Sequence, residues 1–135
     1  GLEPEAIAVY RRLAESERLP LRVYGFRADP VPAALAAWPD SPQYKEYLAQ
    51  LGRVVDPPQT GAFFSLRGIK LFADGALGSR GAALLSEYSD DPGNTGLAVS
   101  PPGHLLAMAR WGALHGYQIA THAIGDRANR AVLDA

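Results

Sequence analysis

Two stretches of this chain place ionisable side chains in runs that otherwise read as buried strand. In "GIKLFADG", residues 68–75, Ile69, Leu71 and Ala73 fall on one face by the period of two, and Lys70, Phe72 and Asp74 share the other. An ammonium on a buried strand face carries a desolvation cost, so it must pair with an anion, lower its pKa or be modified. Three chemistries are open to Lys70. It can form an ion pair with Asp74 or a neighbouring strand, act as a Schiff-base or general-base amine, or be carboxylated by carbon dioxide into an anionic metal ligand. In "YQIATHAIGD", residues 117–126, Tyr117, Ile119 and Thr121 lie on one face, and Gln118, Ala120 and His122 on the other. His122 ends its strand, where a lone histidine is more often a hydrogen-bonded strand end than a ligand. Beside Lys70 it gains weight, because strand-borne polar residues in successive αβ units can face one centre.

The elements that would position these residues alternate. A helix is predicted from Glu3 to about Glu17, with Ala6, Tyr10, Leu13 and Ala14 on one face, followed by a strand over Leu21–Phe26. Pro30, Pro32, Pro39 and Pro42 limit any helix near Ala33–Ala37 to a brief one, in a linker or lid. The next helix has Ser41 as N-cap, Pro42 at its first position, Tyr44, Tyr47, Leu48 and Leu51 on one face, and Gly52 as its stop. The strand bearing Lys70 follows, then a loop from Ala76 to Pro102 rich in Gly, Ser, Asp, Asn and Pro, long enough to suggest a functional loop or a lid. A helix ending at Gly116, the strand bearing His122, and a helix with Ala128, Ala131, Val132 and Ala135 on one face complete the order. Such alternation predicts an α/β fold with parallel strands joined by crossover helices, in a barrel or an open sheet.

Bulk properties exclude several classes. The 135 residues fit one compact unit, 47% of them hydrophobic and 20% charged, with no argument for disorder. Thirteen Lys and Arg against fourteen Asp and Glu leave a net charge of −1 and no basic block for a phosphate backbone, so nucleic acid is not an expected partner. The absence of cysteine removes disulfides and thiolate ligands together, leaving His, Asp, Glu or a modified side chain as metal ligands. No apolar run approaches the roughly 20 residues of a membrane helix, and the acidic start lacks a signal peptide's basic region, so no membrane partner is expected and we read a soluble, cytoplasmic chain. Gly1 is not an initiator methionine and Ala135 falls within a helical pattern, so both ends are expected to be cut.

The long ordered runs "GIKLFADGALGSRGAALLSEYSDDPGNTG" and "THAIGDRANRAVLDA" resemble the amidohydrolase superfamily, specifically the amidohydrolase-3 branch that includes N-substituted formamide deformylase-like enzymes. The likeness extends more weakly through "LRVYGF". It implies a (β/α)₈ TIM barrel with a His-x-His pair on the first strand, a lysine on the fourth that is commonly carboxylated and bridges two metals, histidines on the fifth and sixth, and an aspartate on the eighth. By motif match Lys70 is the fourth-strand lysine and His122 the fifth-strand ligand. The only histidines are His104, His115 and His122, so no His-x-His exists here. A full barrel needs about 250 residues, so residues 1–135 are expected to be about half of one, with roughly three parallel strands matching the third to fifth. For the parent enzyme the resemblance implies one or two divalent metals, with zinc as the expected metal. It also implies a small amide or formamide substrate, a metal-activated water, and hydrolysis of carbon–nitrogen bonds other than peptide bonds. The segment alone is expected to bind zinc weakly or not at all, to be inactive, and to self-associate through open barrel edges. The competing readings are a non-catalytic half-barrel serving as scaffold or interaction module, and a lysine-based aldolase.

Other residues carry weaker expectations. Asp74 is either a cap or a partner that orients a ligand. Arg80 can reach a substrate carboxylate or remain solvated. Asp126 is expected to cap the last helix, with a role in orienting site groups as the alternative. His115 suits a helix C-terminus, and His104 reads as surface. The glycines of "GALGSRG" suggest a phosphate cradle but lack the Gly-Lys-Ser/Thr ending, so the stretch reads as a turn.

Overall fold

A computed structural model describes residues 1–135. The elements are α1 (Pro4–Glu15), β1 (Val23–Ala28), α2 (Ala33–Ala36), α3 (Pro42–Val54), β2 (Phe64–Phe72), α4 (Pro102–Leu114), β3 (Gln118–His122) and α5 (Asp126–Asp134). The strands form one sheet in the order β1-β2-β3, and both pairings are parallel, as the alternation predicts. Leu2 adds a parallel bridge to Arg27 on the outer edge of β1.

One irregularity decides which side chains share a face. Gly25 pairs with Leu66, but the next residue, Phe26, pairs with Gly68, so β2 carries one extra residue opposite β1. A bulge of this kind resets the period of two. Phe64 and Leu66 before it therefore lie on the same side as Ile69 and Leu71 after it. Phe64 and Leu66 pack with Ile7 and Leu19 in a small cluster under α1. Ile69 and Leu71 join Tyr44, Leu51, Leu105, Met108, Trp111 and Tyr117 in the main core under α3 and α4.

The opposite face is open, because all the packed helices cover one side. Tyr24, Phe26 and Ala28 of β1 stand there with Gly68, Lys70 and Phe72 of β2 and Gln118, Ala120 and His122 of β3. The Phe26 ring lies over Gly68, where an added Cβ would fall 2.0 Å from Cδ1. The Tyr24 hydroxyl spans the sheet to donate to Gln118 Oε1 at 3.1 Å.

Helix boundaries follow local chemistry with three corrections. Ser41 caps α3 by accepting the Tyr44 N–H at 3.2 Å, but the helix does not stop at Gly52 and runs to Val54. Leu51 and Val55 are buried on either side of that glycine, so packing outweighs its helix cost of about 1 kcal/mol. A Cβ on Gly52 would meet His115 Nε2 at 3.1 Å, which explains the close approach of α3 to the end of α4. His115 does end α4; its ring stacks on Trp111, and its Nδ1–H donates to the Trp111 carbonyl at 2.8 Å. His104 is the second correction. It is fully buried, because it shares the inward face of α4 with Met108 and Trp111 at i, i+4, i+7.

The third correction concerns Asp126, which is the first residue of α5 rather than its cap; Gly125 holds the cap position. The Asp126 carboxylate accepts the backbone N–H of Leu85 and of Arg127, both at 2.8 Å, and so ties the long loop to the helix.

Candidate functional site

Lys70 and His122 stand on the open face near the carboxyl ends of adjacent parallel strands. Lys70 pairs in register with Ala120, and Phe72 with His122, so the two side chains are diagonal neighbours. Lys70 is half-buried rather than enclosed, because nothing covers this face of the sheet. No carboxylate lies within 4.0 Å of its ammonium, so the ion pair with Asp74, one of the three chemistries open to Lys70, does not form. Its Nζ lies over the Phe72 ring, 4.8 Å from the centroid.

Asp74 turns away from Lys70. It lies beyond the end of β2 and is only 1% exposed. Its Oδ2 accepts the N–H of Ala83 at 2.9 Å and of Gly125 at 2.8 Å, and its Oδ1 accepts the N–H of Ile124 at 3.0 Å. One carboxylate thus fastens the loop after β2 to the turn after β3. Burial pushes its pKa up, but the N–H donors of Gly125, Ile124 and Ala83, with the nearby His122, outweigh that and hold it below the usual carboxylate range.

His122 Nε2 lies 3.7 Å from Asp74 Oδ1 and 3.4 Å from the Gly75 carbonyl oxygen. The contact to a carbonyl requires the proton on Nε2, which leaves the Nδ1 lone pair free. The ring also tilts against Phe72, with centroids 5.5 Å apart.

The loop of residues 76–101 is built largely from its own bonds. The N–H groups of Gly75, Arg80 and Gly81 go to the carbonyls of Gly81, Leu77 and Ala76, so "GALGSRG" closes on itself as a turn. Arg80 sits at φ +55° and pairs with Asp90 through Nε at 3.2 Å and through Nη2. Tyr88 donates to the Ala82 carbonyl at 2.9 Å, and Gly96, at φ +79°, leaves no room for a Cβ beside that same oxygen. Arg80 and Asp126 therefore stand apart from the Lys70–His122 pair, each engaged within the loop or at its junction with α5.

Sequence reasoning missed Asp29, which follows β1 at the same end of the sheet. Its Oδ1 accepts the Val31 N–H at 3.0 Å, and its Oδ2 lies 2.7 Å from His104 Nε2. His104 Nδ1 is in turn 2.8 Å from the Tyr44 hydroxyl. Asp29, Lys70 and Phe72 line one cleft of about 450 Å³. The Asp-Pro turn gave no sign of this, although the buried face of α4 identifies His104.

The sequence profile of the amidohydrolase family matches residues 2–135. This chain belongs to the amidohydrolase family, in its amidohydrolase-3 branch. It is 46% identical over 69 residues to protein LONG AFTER FAR-RED 3 of Arabidopsis thaliana, a match covering 51% of this chain and 12% of that protein. It is 41% identical over 76 residues to YtcJ of Bacillus subtilis (strain 168), covering 56% of this chain and 14% of that one. Among solved structures it superposes on an uncharacterized metal-dependent hydrolase from Pyrococcus furiosus with a TM-score of 0.80 and 27% identity, over 100% of this chain and 25% of that one. A second such hydrolase, from Pyrococcus horikoshii OT3, gives a TM-score of 0.79 at 28% identity, over 99% of this chain and 24% of that one. The matched region thus spans about an eighth of the curated relatives and the chain about a quarter of each structure. The amidohydrolase chain folds as an α/β unit of three parallel strands with flanking helices, a partial (β/α)₈ barrel.

Proposed function

We propose that residues 1–135 are the part of a metal-dependent amidohydrolase barrel that contributes Lys70, as its carbamate, and His122 to a divalent metal centre. The supporting observation is their placement on the open face of adjacent parallel strands, near their carboxyl ends, in a chain of this family. The donor chemistry fits. Lys70 has no anionic partner to lose on carboxylation, and His122 is held at one ring nitrogen with the other free. No group of three His, Cys, Asp or Glu residues stands close enough to hold a metal ion, so these two residues would supply part of a ligand set. Zinc is the metal we propose.

The chemistry a bound divalent metal supplies is activation of water and polarisation of a carbonyl. The reaction we assign is hydrolysis of a small non-peptide amide or formamide: the water oxygen bonds to the carbonyl carbon, the carbon–nitrogen bond breaks, and the nitrogen departs with a proton as the amine. Within this chain, Asp74 acts as a positioning residue. By gripping the backbone after β2 and after β3 at once, it fixes His122 relative to Lys70.

The test is metal per folded subunit alongside kcat in the full-length enzyme. Lys70→Ala and His122→Ala should each lose metal and turnover together. A Lys70→Ala enzyme with full metal and near-normal kcat refutes the carbamate role. The lysine-aldolase reading predicts turnover without metal, which the same assay would expose.

A further inference from the structure

The proposed chemistry leaves one buried network unused. The cleft that holds Lys70 is walled by Val31, Ala36, Phe72 and Val99, and Asp29 enters it from the end of β1 with its side chain 25% exposed. Behind Asp29, His104 is fully buried and Tyr44 is 1% exposed. The proton positions in this chain follow from counting donors. The Tyr44 phenol, pushed up to about 12 by burial and by the charge of Asp29, keeps its proton and donates it to His104 Nδ1. His104 then carries its own proton on Nε2 and donates it to Asp29. Each donor is then matched with an acceptor, and the Asp29 carboxylate is held in one orientation from behind.

No lysine or arginine comes within 4.0 Å of that carboxylate. Each of its oxygens accepts one hydrogen bond from the chain, which leaves acceptor capacity facing the cleft. No further pair of His or acidic residues stands with it to complete a metal site. A carboxylate held in one orientation beside an apolar wall, with no lysine or arginine of this chain next to it, suits an organic cation, whose stem packs on the wall and whose N–H groups reach the oxygens.

We propose that this cleft selects small amides bearing an ammonium or guanidinium group, with Asp29 receiving the cation and His104 and Tyr44 holding the Asp29 carboxylate in place. The inference rests on the reading of Lys70 as a carbamate, since a free Lys70 ammonium in the same cleft would itself answer Asp29.

The test uses the full-length, metal-loaded enzyme and two non-hydrolysable probes of matched length, N-(4-aminobutyl)methanesulfonamide and N-pentylmethanesulfonamide, with affinities from titration calorimetry. Wild type should bind the ammonium probe at least about tenfold more tightly, the scale of one charge-assisted hydrogen bond. Asp29→Asn should bring the two probes to within about threefold of each other while metal per subunit holds. Tyr44→Phe, which keeps the ring and removes only the hydroxyl, should lower the preference about threefold, and it carries the variant arm if Asp29→Asn does not fold. Equal affinity or no binding in wild type overturns the proposal, as does a preference that survives Asp29→Asn or, in its absence, Tyr44→Phe. Failure of the metal reading shows separately, as full metal content in Lys70→Ala.

Discussion

Replacing Asp74 with asparagine keeps the shape of the side chain, removes its charge and turns one accepting oxygen into a donor. If the amide oxygen takes the place of Oδ2, it still meets the N–H groups of Ala83 and Gly125, but the amide nitrogen then faces the N–H of Ile124. One charge-assisted hydrogen bond is lost, two become neutral, and two donors confront each other in a site that is 1% exposed. Charged hydrogen bonds contribute about 1.5–3 kcal/mol and an orphaned buried donor costs about 1–3 kcal/mol, so Asp74→Asn should destabilise the fold by about 3 kcal/mol at neutral pH. Urea denaturation followed by far-UV circular dichroism measures this. The pH dependence gives an independent check with a defined sign. Because the folded pKa of Asp74 is depressed, its contribution is complete above the unfolded carboxylate pKa near 4 and is lost as pH falls through the lower folded value. The gap between wild type and Asp74→Asn should therefore be present at neutral pH and close progressively below about pH 4. A loss under about 0.5 kcal/mol at pH 7, the range of ordinary surface substitutions, would refute the reasoning, and so would a gap that widens as pH falls below about 4.

The remaining predictions address other parts of the fold. Gly68→Ala should destabilise by about 1–3 kcal/mol, because its Cβ would fall 2.0 Å from Phe26 Cδ1, and Phe26→Ala in the same chain should relieve part of that cost in a double-mutant cycle of denaturation midpoints. Gly96→Ala should be worse tolerated, since φ is +79° and the new Cβ would sit 1.9 Å from the Ala82 carbonyl; limited proteolysis should show faster cleavage within residues 76–101. Tyr44 should ionise near its raised value of about 12 in an absorbance titration. Stability should fall as pH rises from about 10, where an unfolded tyrosine loses its proton, and Tyr44→Phe should flatten that decline.

Much of this architecture was legible because local signals and packing agree. Ser41 and Pro42 start α3 as a cap and first-turn proline should, and the apolar alternation of Ile69 and Leu71 correctly separates the covered face from the one bearing Lys70. The misreadings arise where a distant contact overrides a local rule. Gly52 reads as a stop but is a gap that accommodates His115. Asp74 continues the alternation on paper, yet β2 ends at Phe72 and three backbone N–H groups capture its carboxylate. Asp126 stands one position inside the helix it was expected to cap, because Gly125 fits where any Cβ would strike the Ala83 carbonyl at 1.8 Å. The bulge between Leu66 and Gly68 has no composition signal, since it is defined by register against a strand forty residues earlier rather than by the local run.

The partners of Asp74 suggest why the long loop is ordered around it. Ala83 gives its N–H to Asp74 and its carbonyl to the N–H of Ala128 in α5, while Val99 returns to the Ala73 carbonyl at the end of β2. The segment between β2 and α4 is thus pinned at both strand ends that carry the candidate ligands. A ligand pair on neighbouring strands needs its spacing held to a fraction of an ångström, and strand pairing alone governs the backbone only as far as Phe72 and His122. Beyond those residues the bonds made by Asp74 hold the backbone that flanks His122. This division of labour predicts a separable phenotype for Asp74→Asn in the full-length enzyme. At temperatures where it remains folded, it should weaken metal affinity by about 10–100-fold, the range for residues that orient ligands, without removing a ligand. Unchanged metal affinity in the folded variant would assign Asp74 to stability alone.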